Sequence, residues 1–330
     1  EMTMSKRRLG RTNLYISELT IGGGWVGGAL IDQPDDVKRA MVDRARAGGI
    51  NWIDTAAAYG QGQSEAAIGR VLEDVPVDWR PYVSTKVRLD PARDNDFAAQ
   101  IRDSLAASLD RLKMSSVPLL QLHNPIAPAG YGDSVTPEQV LGDGGILDIF
   151  DGLRRAGLCA YSGVTALGDT AALKTVVASG RVDTAQVYFN ILNPSAAHPP
   201  GPVWSGQDFD GLLATCAAHD VGVMGIRVFA AGVIASRTRH GREIPITDGS
   251  DLMSEARRAA AVFDLLGDGH GTRAQTGLRF ALAEPGIASV VIGLAEPAHL
   301  EEALAGAAAG PLPATARDQV RALYRRDYGF

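Results

Sequence analysis

The sequence predicts an α/β protein of one domain, built as a (β/α)8 barrel. Two observations lead to this fold class: short apolar runs recur eight times along the 330-residue chain, and amphipathic segments lie between them. Strands and helices that alternate in this way over this length are typical of the barrel. A doubly wound sheet is the alternative, but the chain has no GxGxxG leading from its first strand into a helix. No interdomain linker is apparent, so we expect the barrel to span residues 1–330.

The eight strands are predicted where apolar and β-branched residues are bounded by turn residues. They cover residues 18–22, 51–55, 82–87, 117–123, 160–165, 184–190, 221–226 and 288–293.

Helices are predicted between the strands, the clearest at 34–49, 64–74 and 96–112. In the last of these, four apolar residues recur at spacings of three or four and so share one helix face, namely Ile101, Leu105, Leu109 and Leu112. Ser64 is expected to cap the N-terminus of its helix, and Gly48 with Gly49 to end the helix before the second strand.

Residues 7–19 precede the first barrel strand and predict a hairpin, with the turn at residues 10–13. We expect this hairpin to close the bottom of the barrel. Two segments rich in proline, glycine or polar residues, 193–208 and 237–249, follow the sixth and seventh strands. Long loops at the carboxyl ends of barrel strands are frequently functional.

Composition and charge narrow the class of protein. Hydrophobic residues make up 45% of the chain and charged residues 21%, as in ordinary globular proteins. The net charge of −6 argues against a nucleic acid or an anionic membrane as partner. Two cysteines form neither a disulfide framework nor a metal motif, and we find no signal peptide or membrane-length apolar run. We therefore expect a cytoplasmic protein without a metal; the oligomeric state stays open.

Polar residues at the ends of three consecutive strands indicate a catalytic site. Asp54 ends the second strand, Lys86 lies in the third, and His123 ends the fourth, while Tyr59 follows in the loop after the second strand. In a barrel these strand ends meet on the same rim, where active sites lie. Each residue alone has a structural explanation, such as a turn residue or a buried ion pair, but four at successive rim positions favour catalysis.

The four residue types predict proton transfer at an oxygen atom. Asp54 can pair with Lys86 on the neighbouring strand, which offsets the cost of burying either charge alone. A cation near the Tyr59 hydroxyl favours the phenolate, so the phenol can give or take a proton, while His123 can orient a carbonyl. No strong nucleophile and no metal-binding set accompanies them, which suggests a hydride donor.

Several stretches resemble the motifs of the aldo-keto reductase family, in order and over essentially the whole chain. They are DTAAAYGQGQSEAAIGRVL, VSTKV, LLQLHNP, GVTALG, QVYFNILNP and SVVIGLAEPAHLEEALA. The resemblance implies a (β/α)8 barrel that binds a nicotinamide cofactor and moves hydride to carbonyls or from alcohols. It places the family's catalytic tetrad on Asp54, Tyr59, Lys86 and His123, with Tyr59 as general acid in reduction and general base in oxidation.

The resemblance also implies cofactor-binding residues around the nicotinamide and the diphosphate. Gln186 matches the glutamine that holds the carboxamide, and Thr165 retains one hydrogen-bonding group where a serine is usual. The segment that normally reads Tyr-Ser-Pro-Leu is here Ile226 to Phe229. It contains Arg227, which could reach a phosphate or the substrate. Gly232 matches the glycine that lets backbone amides approach the pyrophosphate.

The adenosine end departs from the family pattern. The cation usual after the last strand is missing at Gly293 and the residues that follow it, and His299 and Glu302 lie in the next helix. Arg237, in the loop after the seventh strand, is a substitute for that cation, although a solvated loop residue is the alternative. On this basis NADP(H) is slightly favoured, with NAD(H) as the alternative.

The substrate is expected to be a small carbonyl or alcohol compound, bound near Trp25, Asn124 and Trp204. Three functions remain open. The first is a reversible reductase of aldehydes, ketones or sugars. The second is an NAD-linked sugar dehydrogenase that works mainly by oxidation, and the third is a cofactor-binding regulatory subunit.

Overall fold

The computed structural model describes residues 4–93, 96–128 and 132–329, which form a closed barrel of eight parallel strands. The strands of the described residues are β1 (Lys6–Arg8), β2 (Tyr15–Ser17), β3 (Leu19–Gly22), β4 (Trp52–Asp54), β5 (Tyr82–Val87), β6 (Val117–Leu122), β7 (Cys159–Ala166), β8 (Thr184–Tyr188), β9 (Gly222–Ile226) and β10 (Ser289–Gly293). Strands β1 and β2 form a separate two-stranded sheet, and the barrel strands follow one another in the order β10, β3, β4, β5, β6, β7, β8 and β9. All eight predicted barrel strands are confirmed, and the boundaries differ by at most two residues.

One or more helices follow each barrel strand and cover the outside of the barrel. They are α1 (Ala29–Asp32), α2 (Asp35–Ala47), α3 (Gln63–Glu73), α4 (Phe97–Leu112), α5 (Pro137–Leu141), α6 (Ile146–Arg155), α7 (Thr170–Ala178), α8 (Leu212–Ala218), α9 (Leu252–Leu266), α10 (Arg273–Leu282), α11 (Pro297–Ala308) and α12 (Ala314–Tyr324). Short 3-10 helices occur at Gly10–Thr12, Tyr59–Gly62, Val77–Trp79, Ala230–Gly232 and Asp327–Gly329. The predicted (β/α)8 fold class is therefore confirmed. In the described residues, no helix combines the length and the apolar character needed to cross a membrane.

The three helices predicted most clearly are confirmed as α2, α3 and α4, with boundaries that differ by at most two residues. Helix α2 ends at Ala47, and Gly49 follows with a left-handed φ of 94°, as the glycine pair predicted. Helix α3 begins at Gln63, before Ser64, after Gly62 with a φ of 91°. The Ser64 side chain does not cap this helix; its Oγ lies 2.8 Å from Thr55 Oγ1. This hydrogen bond ties the helix to the end of β4.

The N-terminal hairpin closes the bottom of the barrel, as predicted. Strands β1 and β2 pair antiparallel, with Arg7 opposite Ile16. Leu9 and Ile16 are fully buried in a cluster with the barrel residues Trp52, Leu119, Met224 and Ala288. Gly10 lies so close to the start of β9 that an added Cβ would be 2.2 Å from the nitrogen of Gly222. Because this end is sealed, solvent and ligands reach the barrel interior from the opposite end.

Candidate active site

Asp54 and Lys86 form an ion pair inside the barrel, at the carboxyl ends of β4 and β5. Nζ of Lys86 lies 2.5 Å from Oδ2 of Asp54, and both side chains are almost completely buried. The same nitrogen donates to the carbonyl oxygen of Thr55 at 2.9 Å and to the hydroxyl of Tyr59 at 3.3 Å. In parallel register Asp54 pairs with Ser84, two residues before Lys86. Ser84 and Lys86, two residues apart on β5, point to the same face of the strand. The side chains of Lys86 and Asp54 therefore lie on the same face of the sheet, where their charges meet.

Ser84 and Gln121 hold the other oxygen of Asp54, and sequence reasoning missed both. Oδ1 of Asp54 accepts hydrogen bonds from Ser84 Oγ at 2.6 Å and from Gln121 Nε2 at 3.0 Å. Each lies two positions before a residue selected from the sequence, Lys86 or His123. Strand alternation would have placed both inside the barrel. Asp54 is therefore fixed by three donors, and it in turn fixes the ammonium of Lys86.

Tyr59 is brought to Lys86 by a tight turn after β4. It begins the 3-10 helix Tyr59–Gly62, in which Gly60 and Gln61 have left-handed φ values of 59° and 53°. Left-handed backbone at a non-glycine residue costs of the order of 1 kcal/mol and is concentrated at functional sites. The Tyr59 ring meets the His123 ring edge to face, with centroids 5.6 Å apart. Tyr59 thus contacts the ammonium of Lys86 through its hydroxyl and the imidazole of His123 through its ring.

His123 is held neutral by its surroundings. Its backbone nitrogen donates to the carbonyl oxygen of Val87 at 2.8 Å, which fixes the residue just beyond β6. Burial, helped by the positive charges of Lys86 and Arg88, lowers the pKa of His123 to about 2. Nδ1 is buried without a partner among the described residues. Nε2 is therefore the ring nitrogen available to a ligand, and it can donate a hydrogen bond without carrying charge.

The charge of Lys86 is secured by its neighbours. Burial acts to lower the pKa of Lys86, but the charge of Asp54 and the hydroxyl of Tyr59 outweigh it, and the pKa of Lys86 is raised above its ordinary value. Lys86 is therefore a permanent cation at neutral pH, able to stabilise negative charge on the oxygen of Tyr59.

The low pKa of His123 makes stability depend on pH. Above pH 6.5, the ordinary pKa of histidine, the imidazole is neutral in both folded and unfolded chains, so it adds no pH dependence. Below pH 6.5 the imidazole of the unfolded chain binds a proton, whereas that of the folded chain does not. The free energy of unfolding therefore falls as the pH falls. When the pH is lowered from 7.5 to 5, we expect the free energy of unfolding in urea to fall by about 1 to 2 kcal/mol more for the wild type than for His123→Gln. Equal losses would contradict a buried neutral imidazole.

A cavity of about 1120 Å³ lies above these residues, over the carboxyl ends of the barrel strands. Most of the residues selected from the sequence line it: Trp25, Asp54, Tyr59, His123, Thr165, Gln186, Arg227, Phe229, Gly232, Gly293, His299 and Glu302. Lys86 lies beneath the lining and reaches it through Tyr59. The cavity can hold a ligand of considerable size against the proton-transferring group.

Two polar side chains of the cavity floor are left without partners. Thr165 and Gln186 face each other in register on β7 and β8, and both are buried. Oγ1 of Thr165 and Nε2 of Gln186 have no hydrogen-bond partner among the described residues. Buried polar groups are usually hydrogen-bonded, so an unpaired one calls for an explanation. An amide group of a ligand would satisfy both.

The chain after β9 is held in an unusual conformation along the cavity. Arg227, Ala230 and Ala231 have left-handed φ values of 60°, 47° and 56°, and Gly232 has a φ of 103°. The φ of Gly232 is one that residues with a Cβ rarely adopt, and an added Cβ would also meet Nε2 of His240 at 2.7 Å, so glycine is favoured here. Phe229 closes this turn by accepting hydrogen bonds from the amides of Gly232 and Ile234. Strained backbone along a cavity is a common feature of binding loops.

Helices α10 and α11 form one wall of the cavity with Gln275, His299 and Glu302, here called the α10–α11 wall. Oε1 of Glu302 accepts a hydrogen bond from Thr272 Oγ1 at 2.5 Å. Gln275 Nε2 donates to the carbonyl oxygen of Glu302 at 3.1 Å. The wall carries a carboxylate, and no arginine or lysine of the described residues lines it.

The structure does not bring three of the selected residues to the cavity. Asn124 is fully buried, and its amide is bonded to both backbone groups of Leu89 and to the carbonyl oxygen of Asp133. Trp204 packs edge-on against Tyr324, and the guanidinium of Arg258 lies 4.6 Å from its ring centroid.

Arg237 is the third selected residue that does not reach the cavity. Its side chain is 75% exposed and lies 3.6 Å from Asp264 on α9, outside the cavity lining.

A contact that the sequence did not indicate joins two loops at the cavity. NH1 of Arg242, after β9, donates to the carbonyl oxygen of Trp25 at 2.8 Å and to Asp32 at 2.9 Å. All three residues line the cavity. No motif or periodicity relates residues 210 positions apart, so only the folded chain reveals the contact.

Comparisons with known proteins agree with this architecture. The model of the Aldo/keto reductase family matches residues 18–325. The chain belongs to the aldo/keto reductase family. It is accordingly an oxidoreductase, and the cofactors of this family are nicotinamide nucleotides. The family recognised from the motifs is thus confirmed.

Some relatives are distant in sequence but match over nearly the whole chain. The oxidoreductase YqkF of Bacillus subtilis strain 168 is 21% identical, covering 97% of this chain and 95% of its own. D-threo-aldose 1-dehydrogenase from Pseudomonas sp is 27% identical, covering 91% of this chain and 92% of its own. The holo form of aldo-keto reductase AKR11C1 from Bacillus halodurans has a TM-score of 0.74 at 20% identity, covering 97% and 96%. At that identity the structural likeness shows the fold alone.

Proposed function

We propose that this chain transfers hydride between a nicotinamide cofactor and a small carbonyl or alcohol substrate, with Tyr59 as the proton donor or acceptor. One observation carries the proposal. The Tyr59 hydroxyl lies 3.3 Å from the ammonium of Lys86, beside a neutral His123, at a cavity of about 1120 Å³. A phenol next to a fixed cation is suited to general acid–base catalysis at oxygen.

Residues of the chain carry out the proton transfer. When bound, the cofactor supplies the hydride in reduction and accepts it in oxidation. In reduction, Tyr59 donates its hydroxyl proton to the substrate oxygen, and the ammonium of Lys86 stabilises the phenolate that remains. Asp54 keeps Lys86 charged and in place through the 2.5 Å ion pair. Neutral His123 donates a hydrogen bond from Nε2 to the same substrate oxygen, which orients the carbonyl. Oxidation uses these steps in reverse.

The cavity floor fits a nicotinamide. Its carboxamide offers a carbonyl oxygen and an NH₂ group, while Gln186 Nε2 and Thr165 Oγ1 are buried without partners. We propose that Gln186 and Thr165 hold the carboxamide, that Phe229 and Gly232 border the diphosphate, and that Gly293, His299 and Glu302 border the adenosine. Trp25 lines the part of the cavity left for substrate.

The α10–α11 wall supports NAD(H) as the preferred cofactor. A 2′-phosphate would bring additional negative charge toward Glu302, whereas a ribose hydroxyl can donate a hydrogen bond to its carboxylate. Arg237, on which the preference for NADP(H) rested, pairs with Asp264 outside the cavity lining. For Arg237 to hold a 2′-phosphate, its side chain would have to leave Asp264 and turn toward the adenosine.

Fluorescence titration decides between the two nucleotides. We expect NADH to bind at least as tightly as NADPH, and Glu302→Gln to shift the ratio of dissociation constants toward NADPH by about three- to tenfold, because one like charge is removed. The control Arg237→Ala should change both constants by less than about twofold, since an exposed pair contributes little. A loss of NADPH affinity of ten- to a hundredfold in Arg237→Ala would instead assign the 2′-phosphate to Arg237.

A second candidate is the oxidation of a sugar or a similar polyhydroxy compound with NAD. It is favoured by the similarity to D-threo-aldose 1-dehydrogenase over 91% of this chain and by the α10–α11 wall, which has no arginine or lysine among the described residues.

Turnover of the pure protein separates the candidates. Aldehydes and ketones are offered with NADH or NADPH, and aldoses with NAD or NADP. Faster turnover of aldoses would favour the dehydrogenase, and no turnover in either direction would favour a cofactor-binding regulatory subunit.

A further inference from the structure

Arg227 is a cavity-lining arginine without a carboxylate partner. In the part of the chain that the structure describes, no Asp or Glu oxygen lies within 4.0 Å of its guanidinium. Lys86 beneath the cavity and the two other described arginines that line it are each paired with a carboxylate: Lys86 with Asp54, Arg88 with Asp133 and Arg242 with Asp32. Arg227 thus differs from all of them.

The backbone of Arg227 is fixed while most of its guanidinium is free. The residue follows β9 with a left-handed φ of 60°. Its carbonyl oxygen accepts hydrogen bonds from Asn190 Nδ2 at 2.9 Å and from the amide of Ala230 at 2.9 Å. NH1 donates to the carbonyl oxygen of Ile244 at 2.9 Å. The structure shows no other hydrogen bond from this guanidinium within the described residues, so its remaining donors are available to a ligand in the cavity.

The charges around Arg227 leave its own charge largely uncompensated. Burial lowers the pKa of Arg227, while Tyr188, Tyr59 and Glu255 act in the opposite direction. A guanidinium nevertheless stays cationic at neutral pH. Glu255 is the nearby acid, but it is buried and beyond ion-pair distance of Arg227. Burial raises the pKa of Glu255 to about 7, so at neutral pH it carries only part of a negative charge.

The position of Arg227 in the cavity indicates which kind of ligand it binds. Arg227 and Tyr59 line the same cavity, so a ligand bound there can reach both the guanidinium and the proton donor. An anion bound there could come from the diphosphate of the cofactor or from the substrate. Proximity to Tyr59 favours the substrate, because the carbonyl that Tyr59 protonates must lie next to it.

We propose that Arg227 is a specificity-determining residue that binds a carboxylate or phosphate carried by the substrate. The inference rests on the proposed function, since it names the class of substrate reduced at the same site. A fork of free guanidinium donors in a partly buried site matches the planar oxygens of a carboxylate or the oxygens of a phosphate. The preferred substrates are then acidic aldehydes or ketones, or phosphorylated sugars.

The test compares substrates that differ in charge at one group. The first pair is 4-oxobutanoate and its methyl ester, and the second is glyceraldehyde 3-phosphate and glyceraldehyde. We expect the wild type to favour the anionic member of at least one pair in kcat/KM. In Arg227→Gln that ratio should fall about ten- to a hundredfold, and Arg227→Lys should restore part of it, since charge is kept and the fork is lost.

Arg70→Gln is the matched control, because it removes one arginine charge at a residue that pairs with Asp35 outside the cavity lining. Its charge-preference ratio should stay within about threefold of the wild type. Thermal melting of each variant shows that it is folded.

The outcomes separate this inference from the proposed function. If the wild type reduces neutral aldehydes but shows no preference in either pair, or keeps its preference in Arg227→Gln, the inference is overturned and the proposed function stands. Arg227→Gln could instead lower kcat/KM equally for both members of a pair and bind NADH and NADPH more weakly. In that case the guanidinium holds the cofactor diphosphate, and the inference is overturned. If no carbonyl compound is reduced at all, the proposed function fails and the inference with it.

Discussion

Tyr59→Phe is expected to lower kcat for carbonyl reduction by at least a factor of about 10² to 10⁴ and to leave the dissociation constants of NADH and NADPH nearly unchanged. The substitution removes only the hydroxyl, which lies 3.3 Å from the ammonium of Lys86. The ring can keep its edge-to-face contact with His123. Steady-state turnover of a reactive aldehyde gives kcat, and fluorescence titration gives the nucleotide affinities.

Tyr161→Phe provides the control for this result. Tyr161 lies at the other end of the barrel, where its hydroxyl donates to the carbonyl oxygen of Thr12 at 3.0 Å. Its loss should change turnover by less than about twofold, because it removes one peripheral hydrogen bond. An unchanged rate in Tyr59→Phe would mean that another group, such as water, delivers the proton, and the assignment of Tyr59 would be abandoned.

Lys86→Met is expected to inactivate the protein and to destabilise it by about 3 to 5 kcal/mol. Asp54 would then be a buried carboxylate without a counter-charge, since its Oδ2 loses the Lys86 ammonium at 2.5 Å. Ser84 and Gln121 remain on Oδ1, but neutral donors replace only part of an ion pair. Urea unfolding measures the loss of free energy, and turnover of the folded fraction measures the loss of activity.

Adding Asp54→Asn to Lys86→Met should recover about 1 to 3 kcal/mol without restoring activity, because the double variant leaves no buried charge unpaired. The control removes an exposed ion pair of similar length. Arg44 and Glu301 lie 2.6 Å apart with half-exposed side chains, so Arg44→Met should cost less than about 1 kcal/mol. Equal unfolding free energies for the single and double variants would show that Asp54 and Lys86 do not depend on each other.

The barrel and the meeting of its rim residues could be predicted from the sequence because both follow from local rules. Strand alternation and the parallel order of neighbouring strands bring Asp54, Lys86 and His123 together, whatever the loops do. Asn124 lies two residues beyond the end of β6, where strand alternation no longer applies, and its amide bonds Leu89 instead of facing the cavity. Ser84 and Gln121 follow from the rule as well, two positions before Lys86 and His123.

Loop side chains obeyed no such rule, and only the tertiary structure decided their places. Arg237 could be assigned to the adenosine end by resemblance, yet it pairs with Asp264 on α9. Trp204 could be assigned to the substrate, yet it packs on Tyr324 and Arg258 near the C-terminus. Arg242 meets Asp32 across the cavity, and Arg227 meets no carboxylate at all among the described residues. The direction of a loop side chain depends on contacts between distant parts of the chain, whereas a strand fixes its side chains through its own backbone.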